Sequence, residues 1–425
     1  MYGLGKMGLP LAAVYADVIG NVTGVDVDPN VVETIQAGQC HVDREPGLSD
    51  LVTQMVSMGR LDATTDSEGA ANAADIHVII VPTLVDETNT PDLSVIESVV
   101  SDIAASIDPG DMVIVESTVP PRTCRDVIEP TIAEQSGLNR SDFGVAFCPE
   151  RTSSGRAIQD IRGAYPKVVG GTDSEATQIA ELVYDQINQS GVIPVSGATT
   201  AESVKVFEGV YRDVNIALAN ELGKLADELG IDVLEAIEVA NTLPMCDLHI
   251  PGAGVGGHCI PYYPYFLINS FEGPTPLMQT AREVNDSMPA FTTSKLIEGL
   301  SEKGKPISEA TVVVLGLTYR GGVVEIRHAP SIPIVEQLVT QDAEVFVVDP
   351  VLEDFSEFNG ATRIEMGEIE EVNPDAVVLV TAHEEFEGID WSGFDTSLVI
   401  VDGRQALDLD GSNHWIYTLG KAQGR

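Results

Sequence analysis

Residues 1–28 read MYGLGKMGLPLAAVYADVIGNVTGVDVD: a glycine-rich turn, an apolar helical stretch and a β-branched run that ends in acid. Gly3, Gly5 and Gly8 make the pattern G-x-G-x-x-G, and Asp26 stands at the end of the run NVTGVDVD. In a dinucleotide-binding βαβ unit the first glycine makes the tight turn, the second admits the pyrophosphate, and the third lets the helix pack on the strand. The acid that follows holds the ribose hydroxyls. A carboxylate there accepts from a 2′-hydroxyl and repels a 2′-phosphate, so the expected cofactor is NAD rather than NADP. The strand that should feed Gly3 is reduced to Met1 and Tyr2. Either the start lies upstream or the sheet is built on a stub.

The same alternation continues outward from this unit. GNVTGVDVD, ADIHVIIVP, DMVIVEST, GVAFCPE, YPKVVGG and SGVIPVS each read as parallel strands ending in loops, with helical stretches between them. A long helical pattern follows from Thr199 to Gly230, opening on a capping box, Thr199 to Glu202, and closing on glycine. Its apolar positions Val204, Tyr211, Val214, Leu218, Leu222, Leu225 and Leu229 recur at helical spacing and bury either a core or a dimer face. The alternation resumes in ATVVVLGLTY, AEVFVVDP, DAVVLVTA and SLVIVDGR, without a full glycine fingerprint. The expected fold class is α/β, two Rossmann-like doubly wound domains joined by a long central helix. Its expected divisions are residues 1–195, 196–305 and 306–425, with a ligand cleft between the sheets.

Composition sets the surroundings. With 66 Asp and Glu against 23 Lys and Arg, the formal net charge is −43. That field repels nucleic acid. With 44% of residues hydrophobic, the chain is folded rather than disordered, so the acid lies on the surface. Such surfaces are found in halophiles, because salt screens their self-repulsion. Cys40, Cys124, Cys148, Cys246 and Cys259 are odd in number and form no CxxC pair, which fits neither a disulfide framework nor a zinc site. No apolar stretch reaches bilayer length, and no signal peptide precedes the glycine loop. A soluble, cytoplasmic enzyme without a membrane or nucleic-acid partner is the expectation.

A second glycine cluster carries chemistry. In PGAGVGGHCI, residues 251–260, four glycines lead to His258 and Cys259. Repeated glycine lets backbone press close to a ligand. A thiol at the end of such a loop can be a covalent nucleophile; the alternative is a tight turn around a buried cysteine. Adjacency does not make His258 a base, and a packed structural histidine is expected there.

These motifs together resemble the UDP-glucose/GDP-mannose dehydrogenase family, whose NAD-dependent members oxidise the primary alcohol of a nucleotide sugar twice, to a carboxylate. The resemblance runs through GLGKMGLP, EPGL at 45–48, VPT at 81–83, PDLS at 91–94, ESTVPP at 116–121 and CPER at 148–151. It continues in AESVK at 201–205, YRDVNIALANEL at 211–222, PGAGVGGHCIP and EIRHAP at 325–330. It implies Cys259 as nucleophile, Lys205 as the positive charge at the oxyanion, and Glu150 with Thr118 for water activation and proton movement. Thr83 and Thr118 fall just past strand ends, where a cofactor edge is read. Arg327 resembles the arginine that reaches the cofactor phosphates from the C-terminal domain. Arg320 stands where relatives often have lysine near the nucleotide diphosphate. Lys205, Gly256 and Arg320 would contact the substrate. A homodimer through the central helix is expected.

Three positions depart from the family pattern. Relatives usually carry Asn one helical turn after the lysine, where this chain has Gly209. They commonly carry Asp four residues after the cysteine, where Tyr263 stands, which puts the hydrolytic step in question. Many place an arginine where Met245 is found. Within the family, CPER and the RDVNIALANEL helix look more like the UDP-N-acetylhexosamine branch, which implies UDP-N-acetyl-D-mannosamine as substrate. UDP-glucose and UDP-N-acetylglucosamine are the alternatives. A nucleotide-sugar binding subunit that has lost turnover is the reading from another class.

Overall fold

The computed structural model describes every residue except Glu87, Asp395, Asp410 and 423–425. The chain forms two compact units: Met1–Glu208 with Tyr265–Glu272, and Gly209–Pro264 with Gly273–Arg425. A single helix, Ala198–Lys224, runs from the first into the second.

The main strands of the first unit are β1 (Val22–Val25), β2 (Leu61–Thr64), β3 (Ile76–Ile79), β4 (Met112–Val115), β5 (Gly144–Phe147), β6 (Lys167–Gly171) and β7 (Val192–Pro194), and Leu84–Val85 with Pro91–Asp92 form a separate antiparallel ribbon. Met1 and Tyr2 lie between β1 and β3 and act as a strand of two residues. The Tyr2 amide donates to Val78 O at 2.8 Å, and the Val25 amide donates to Met1 O at 2.7 Å. With that stub counted first, β2, β1, stub, β3, β4 and β5 give the order 3-2-1-4-5-6 of a doubly wound sheet. MVIV of β4 is buried throughout, as a strand covered on both faces must be.

One expectation is corrected here. YPKVVGG forms β6, but β6 runs antiparallel to β5. A parallel return needs a full crossover. The segment joining these strands offers only a three-residue helix and one π-helical turn, so the chain folds back instead.

The long helix begins at Ala198, one residue before the expected start, and its continuation ends on Gly230 at φ 66°. The Thr199–Glu202 capping box is absent as a reciprocal pair. Glu202 is buried, and its carboxylate accepts from the Arg122 and Cys124 amides at 2.5 and 2.7 Å, holding the segment after β4 against the helix.

The second unit carries β8 (Thr311–Leu315), β9 (Glu344–Val348), β10 (Thr362–Arg363), β11 (Ala376–Leu379), β12 (Val399–Asp402) and β13 (Trp415–Thr418). All pairings are parallel, and the order β10-β9-β8-β11-β12-β13 is again 3-2-1-4-5-6. The helix Met288–Glu302 packs on this sheet, burying Leu296 and Leu300 with Val312, Val314 and Val399. Among the described residues, no helix is long and apolar enough to cross a membrane.

Candidate active site

In the first sheet the switch point lies between the stub and β3, where a dinucleotide is expected past the carboxyl ends of the strands. Gly3 turns there at φ 93°, and a Cβ on it would lie 2.5 Å from Ile80 O. A Cβ on Gly8 would lie 2.0 Å from Gly3 O, so the helix Gly8–Val18 closes directly on the turn. Gly5 differs: nothing lies within 4 Å of its Cβ position, leaving room for a phosphate to reach the backbone. Asp26 accepts from the Leu4 amide at 2.9 Å and the Asp28 amide at 3.0 Å, which fixes a carboxylate that still has lone pairs for hydroxyls. The Thr83 hydroxyl, a few residues past β3, is buried without a partner among the described residues. A buried hydroxyl left unbonded calls for a ligand group or water. These residues fit NAD.

Two further strand ends place Thr118 and Glu150. β4 and β5 pair in register, Val115 with Phe147, and Thr118 and Glu150 each fall three residues beyond. The Lys205 ammonium, on the long helix, donates to the Glu150 carbonyl and stands 3.9 Å from its Oε2. Glu150 Oε1 in turn accepts from the Thr152 amide. Both side chains are largely covered, 12% exposed for Lys205 and 16% for Glu150. A fixed cation beside a positioned carboxylate can stabilise a developing oxyanion and move a proton.

Behind Glu150 lies a group that motif reading missed. Lys167 Nζ is 2.6 Å from Glu116 Oε2, the Tyr184 hydroxyl donates to Glu116 Oε1, and the ammonium sits 4.6 Å above the Tyr184 ring. Burial pushes the Glu116 carboxyl up, and Lys167 opposes that rise. Met7 and Leu11 complete a small cavity with these side chains and Glu150. Lys167 is one of only eight lysines in the chain and sits inside a strand, the signal that could have singled it out.

The second unit builds the cysteine loop. Its start is tied to the long helix through buried amides: Asn220 accepts from the Gly252 amide at 2.9 Å and donates to Asn285 Oδ1, and Asn285 donates to Asp213. Arg282 pairs with Asp213 at 2.5 Å. Arg404 is pressed against Gly252 and donates to Gly254 O at 3.2 Å. The loop's end lies on the EIRHAP segment. The Gly257 amide donates to Arg327 O at 2.8 Å, and a Cβ on Gly256 would be 2.7 Å from Tyr319 Cβ and 2.8 Å from His328 O. These contacts hold the loop backbone close against residues 319–329.

Cys259 is half-buried and forms no disulfide. His258 is not the packed structural histidine expected: its side chain is 47% exposed and Nδ1 stands 3.5 Å from Glu325 Oε1. Arg327 Nε lies 3.7 Å from that oxygen, while Arg320 is exposed. The departures also find places. Met245 is 93% exposed. Tyr263 is buried with its ring over Gly209, where a Cβ would come within 2.2 Å of it.

The second switch point repeats the device of the first. Gly316 turns at φ 79° with its Cβ position 2.0 Å from Thr381 O, and Asp349 accepts from the Leu317 amide at 2.7 Å as Asp26 does from Leu4. His383 lies 3.2 Å from Asp349 and 3.0 Å from the Thr318 hydroxyl. Burial opposes ionisation of Asp349, but bonds from His383 and from the Leu317 and Val351 amides outweigh it and hold the carboxyl at about 2. Sequence reading picked Arg320 here and missed Asp349, whose VVDP ending parallels GVDVD.

Comparison with known proteins agrees with both crevices. Residues 1–188 match the NAD binding domain of the UDP-glucose/GDP-mannose dehydrogenase family, 199–287 its central domain and 313–409 its UDP binding domain. The chain is 36% identical over 410 residues to the UDP-N-acetyl-D-mannosamine dehydrogenase of Pyrococcus horikoshii, covering 95% of this chain and 94% of that one. It is 34% identical to an NDP-N-acetyl-D-galactosaminuronic acid dehydrogenase of Ralstonia nicotianae, covering 94% and 93%. Among solved structures, the UDP-D-ManNAc dehydrogenase of Pyrococcus horikoshii superposes with a TM-score of 0.92 at 34% identity, covering 99% of this chain and 98% of that one. The chain belongs to the UDP-glucose/GDP-mannose dehydrogenase family and is an NAD-dependent nucleotide-sugar dehydrogenase.

Proposed function

We propose that the chain oxidises the primary alcohol of UDP-N-acetyl-D-mannosamine to the uronate, with residues 1–195 serving NAD, 196–305 the chemistry and the dimer contact, and 306–425 the UDP moiety. The observation that carries the substrate is the similarity to the Pyrococcus horikoshii enzyme along nearly the whole chain. Asp26, Gly5, Thr83 and Thr118 hold NAD, with Arg327 at its phosphates. Bound there, NAD supplies the hydride acceptor for both oxidations. Lys205, Gly256 and Arg320 hold the sugar nucleotide.

After the first oxidation the carbon is an aldehyde. The Cys259 sulfur adds to it and makes it tetrahedral again, and the carbonyl pair moves to oxygen as a new oxyanion. Lys205 stabilises that charge. Oxidation of this thiohemiacetal leaves a thioester on Cys259. Glu150, with Thr118, removes a proton from the water that releases the acid. The exposed apolar side chains of the long helix support a homodimer. The Tyr263 ring over Gly209 favours a second reading, in which hydrolysis is impaired and one oxidation, or binding alone, remains.

NADH formed per sugar tests this reading with UDP-N-acetyl-D-mannosamine, UDP-N-acetylglucosamine and UDP-glucose, each run in high salt. Two NADH from the first substrate, lost in Cys259→Ala, is the expected result. One NADH per sugar would mean a stalled aldehyde, and NAD binding without turnover would mean a binding subunit.

A further inference from the structure

The contacts of the cysteine loop place a second reactive group beside the thiol. Because Gly256 and Gly257 lie flush against residues 319–330, the next residue, His258, faces Glu325 at 3.5 Å, and its ring interacts with the side chain of its neighbour Cys259. Glu325 is itself fixed. Its amide donates to Val323 O, its carbonyl accepts from the Tyr319 amide, both at 3.0 Å, and its carboxylate is 17% exposed. We propose that His258, oriented by Glu325, is the base that takes the Cys259 proton, forming a cysteine–histidine–glutamate relay within the second unit. This rests on the cysteine reading above.

At rest the imidazole already holds the thiol proton; in the step the thiolate sulfur pair forms the bond to the aldehyde carbon and the carbonyl π pair goes to oxygen. No electrons are gained or lost. When water later breaks the thioester, sulfur leaves with its bonding pair as the thiolate, again beside the imidazolium. Nucleophile, base and an orienting acid in hydrogen-bonded order are the usual signature of an activated nucleophile.

Other groups near the loop do not compete for this proton. His328 is engaged by the Tyr262 hydroxyl at 2.7 Å, and burial together with Arg282 pushes its affinity for a proton down. Burial pushes the Tyr262 and Tyr319 hydroxyls up. For His258, hydrogen bonds to Cys259 and Glu325 raise the ring from 6.5 to about 10. The sign follows: the imidazolium is favoured throughout neutral pH and is lost only as pH rises through about 10, so across that range the sulfur has a cation beside it.

The test is the pH dependence of Cys259 alkylation by iodoacetamide, followed on the intact protein by mass spectrometry of the peptide that carries it. Wild type is expected to react with a midpoint well below the ordinary thiol value of about 8.5. His258→Gln is expected to return to that value, with alkylation at pH 7 slowed about ten-fold. Glu325→Gln should fall between the two, which keeps the test open if the histidine variant folds poorly. In turnover, His258→Gln should lower kcat with little change in KM. A wild-type midpoint in the ordinary range, or identical profiles in wild type and both variants, would overturn the relay while leaving Cys259 as nucleophile. Two NADH per sugar from Cys259→Ala would instead overturn the cysteine reading itself.

Discussion

A methyl group on Gly209 would lie 2.2 Å from Cδ2 of Tyr263 and 3.0 Å from its Cβ, so these two departures from the family pattern occupy one space. Each was legible in the sequence as an oddity. Their contact was not, because one lies on the long helix and the other follows the cysteine loop, and no local pattern couples them. Where relatives place an amide and a carboxylate, this chain has an aromatic ring lying on bare backbone. Gly209→Ala tests this directly. Helix propensity alone would make the alanine more stable by roughly 1 kcal/mol. Overpacking against the ring reverses the sign and should cost about 1–3 kcal/mol in chemical denaturation. Gly209→Asn should be worse alone than together with Tyr263→Asp, because the smaller acid vacates the space. Additive effects of the two substitutions would mean that they are not coupled. His258 teaches the same lesson: the sequence places it beside Cys259, but only the packing of EIRHAP on the loop supplies Glu325.

At the scale of elements, runs of β-branched residues were sufficient to locate most strands, because a buried parallel strand is apolar along its whole length. β2 (LDAT), β10 (TR) and β13 were missed; the first two are short and polar, and weak in strand-forming residues. The direction of β6 was also hidden, since it depends on the connection rather than on the strand. The long helix was legible from its period, yet its apolar residues proved to be of two kinds. Val206, Ala217 and Ala219 are buried, whereas Phe207, Tyr211 and Leu218 are 58%, 52% and 44% exposed. Their spacing of four and seven puts them on one face. A stripe of large apolar side chains in water is the mark of an interface, and a second copy of the same helix would cover it with a matching face. For the homodimer proposed above, Phe207→Glu with Leu218→Glu should convert the dimer to a monomer in sedimentation velocity, with helix content unchanged by circular dichroism. A wild-type chain that sediments as a monomer at every concentration would remove the basis for the dimer.

The whole molecule repeats one solution twice. Both sheets have the same strand order, both turn on a glycine against the next strand's carbonyl, and both end the following strand on an aspartate held by the amide after that glycine. The first copy was legible because its three glycines keep the full spacing; the second keeps only Gly316 and Asp349, so the sequence showed a Rossmann-like alternation in which only Arg320, through the family resemblance, marked a site. Over this frame lies a formal charge of −43. Among the described residues only a few acids, such as Glu116, Glu202 and Asp349, are buried, so most of the acid faces water and repels itself. Exposed charges interact over about 10 Å at 0.1 M salt but only about 3 Å at 1 M. The folded state should therefore gain stability as salt rises, with the Tm climbing most steeply at low concentration and levelling once neighbouring acids are screened. Potassium chloride and sodium chloride should act alike at equal molarity, because screening depends on ionic strength and not on the identity of the cation. A Tm that is flat in chloride and rises only in sulfate would assign the effect to exclusion of the salt from apolar surface, and the acidic surface would then not be what ties this enzyme's stability to salt.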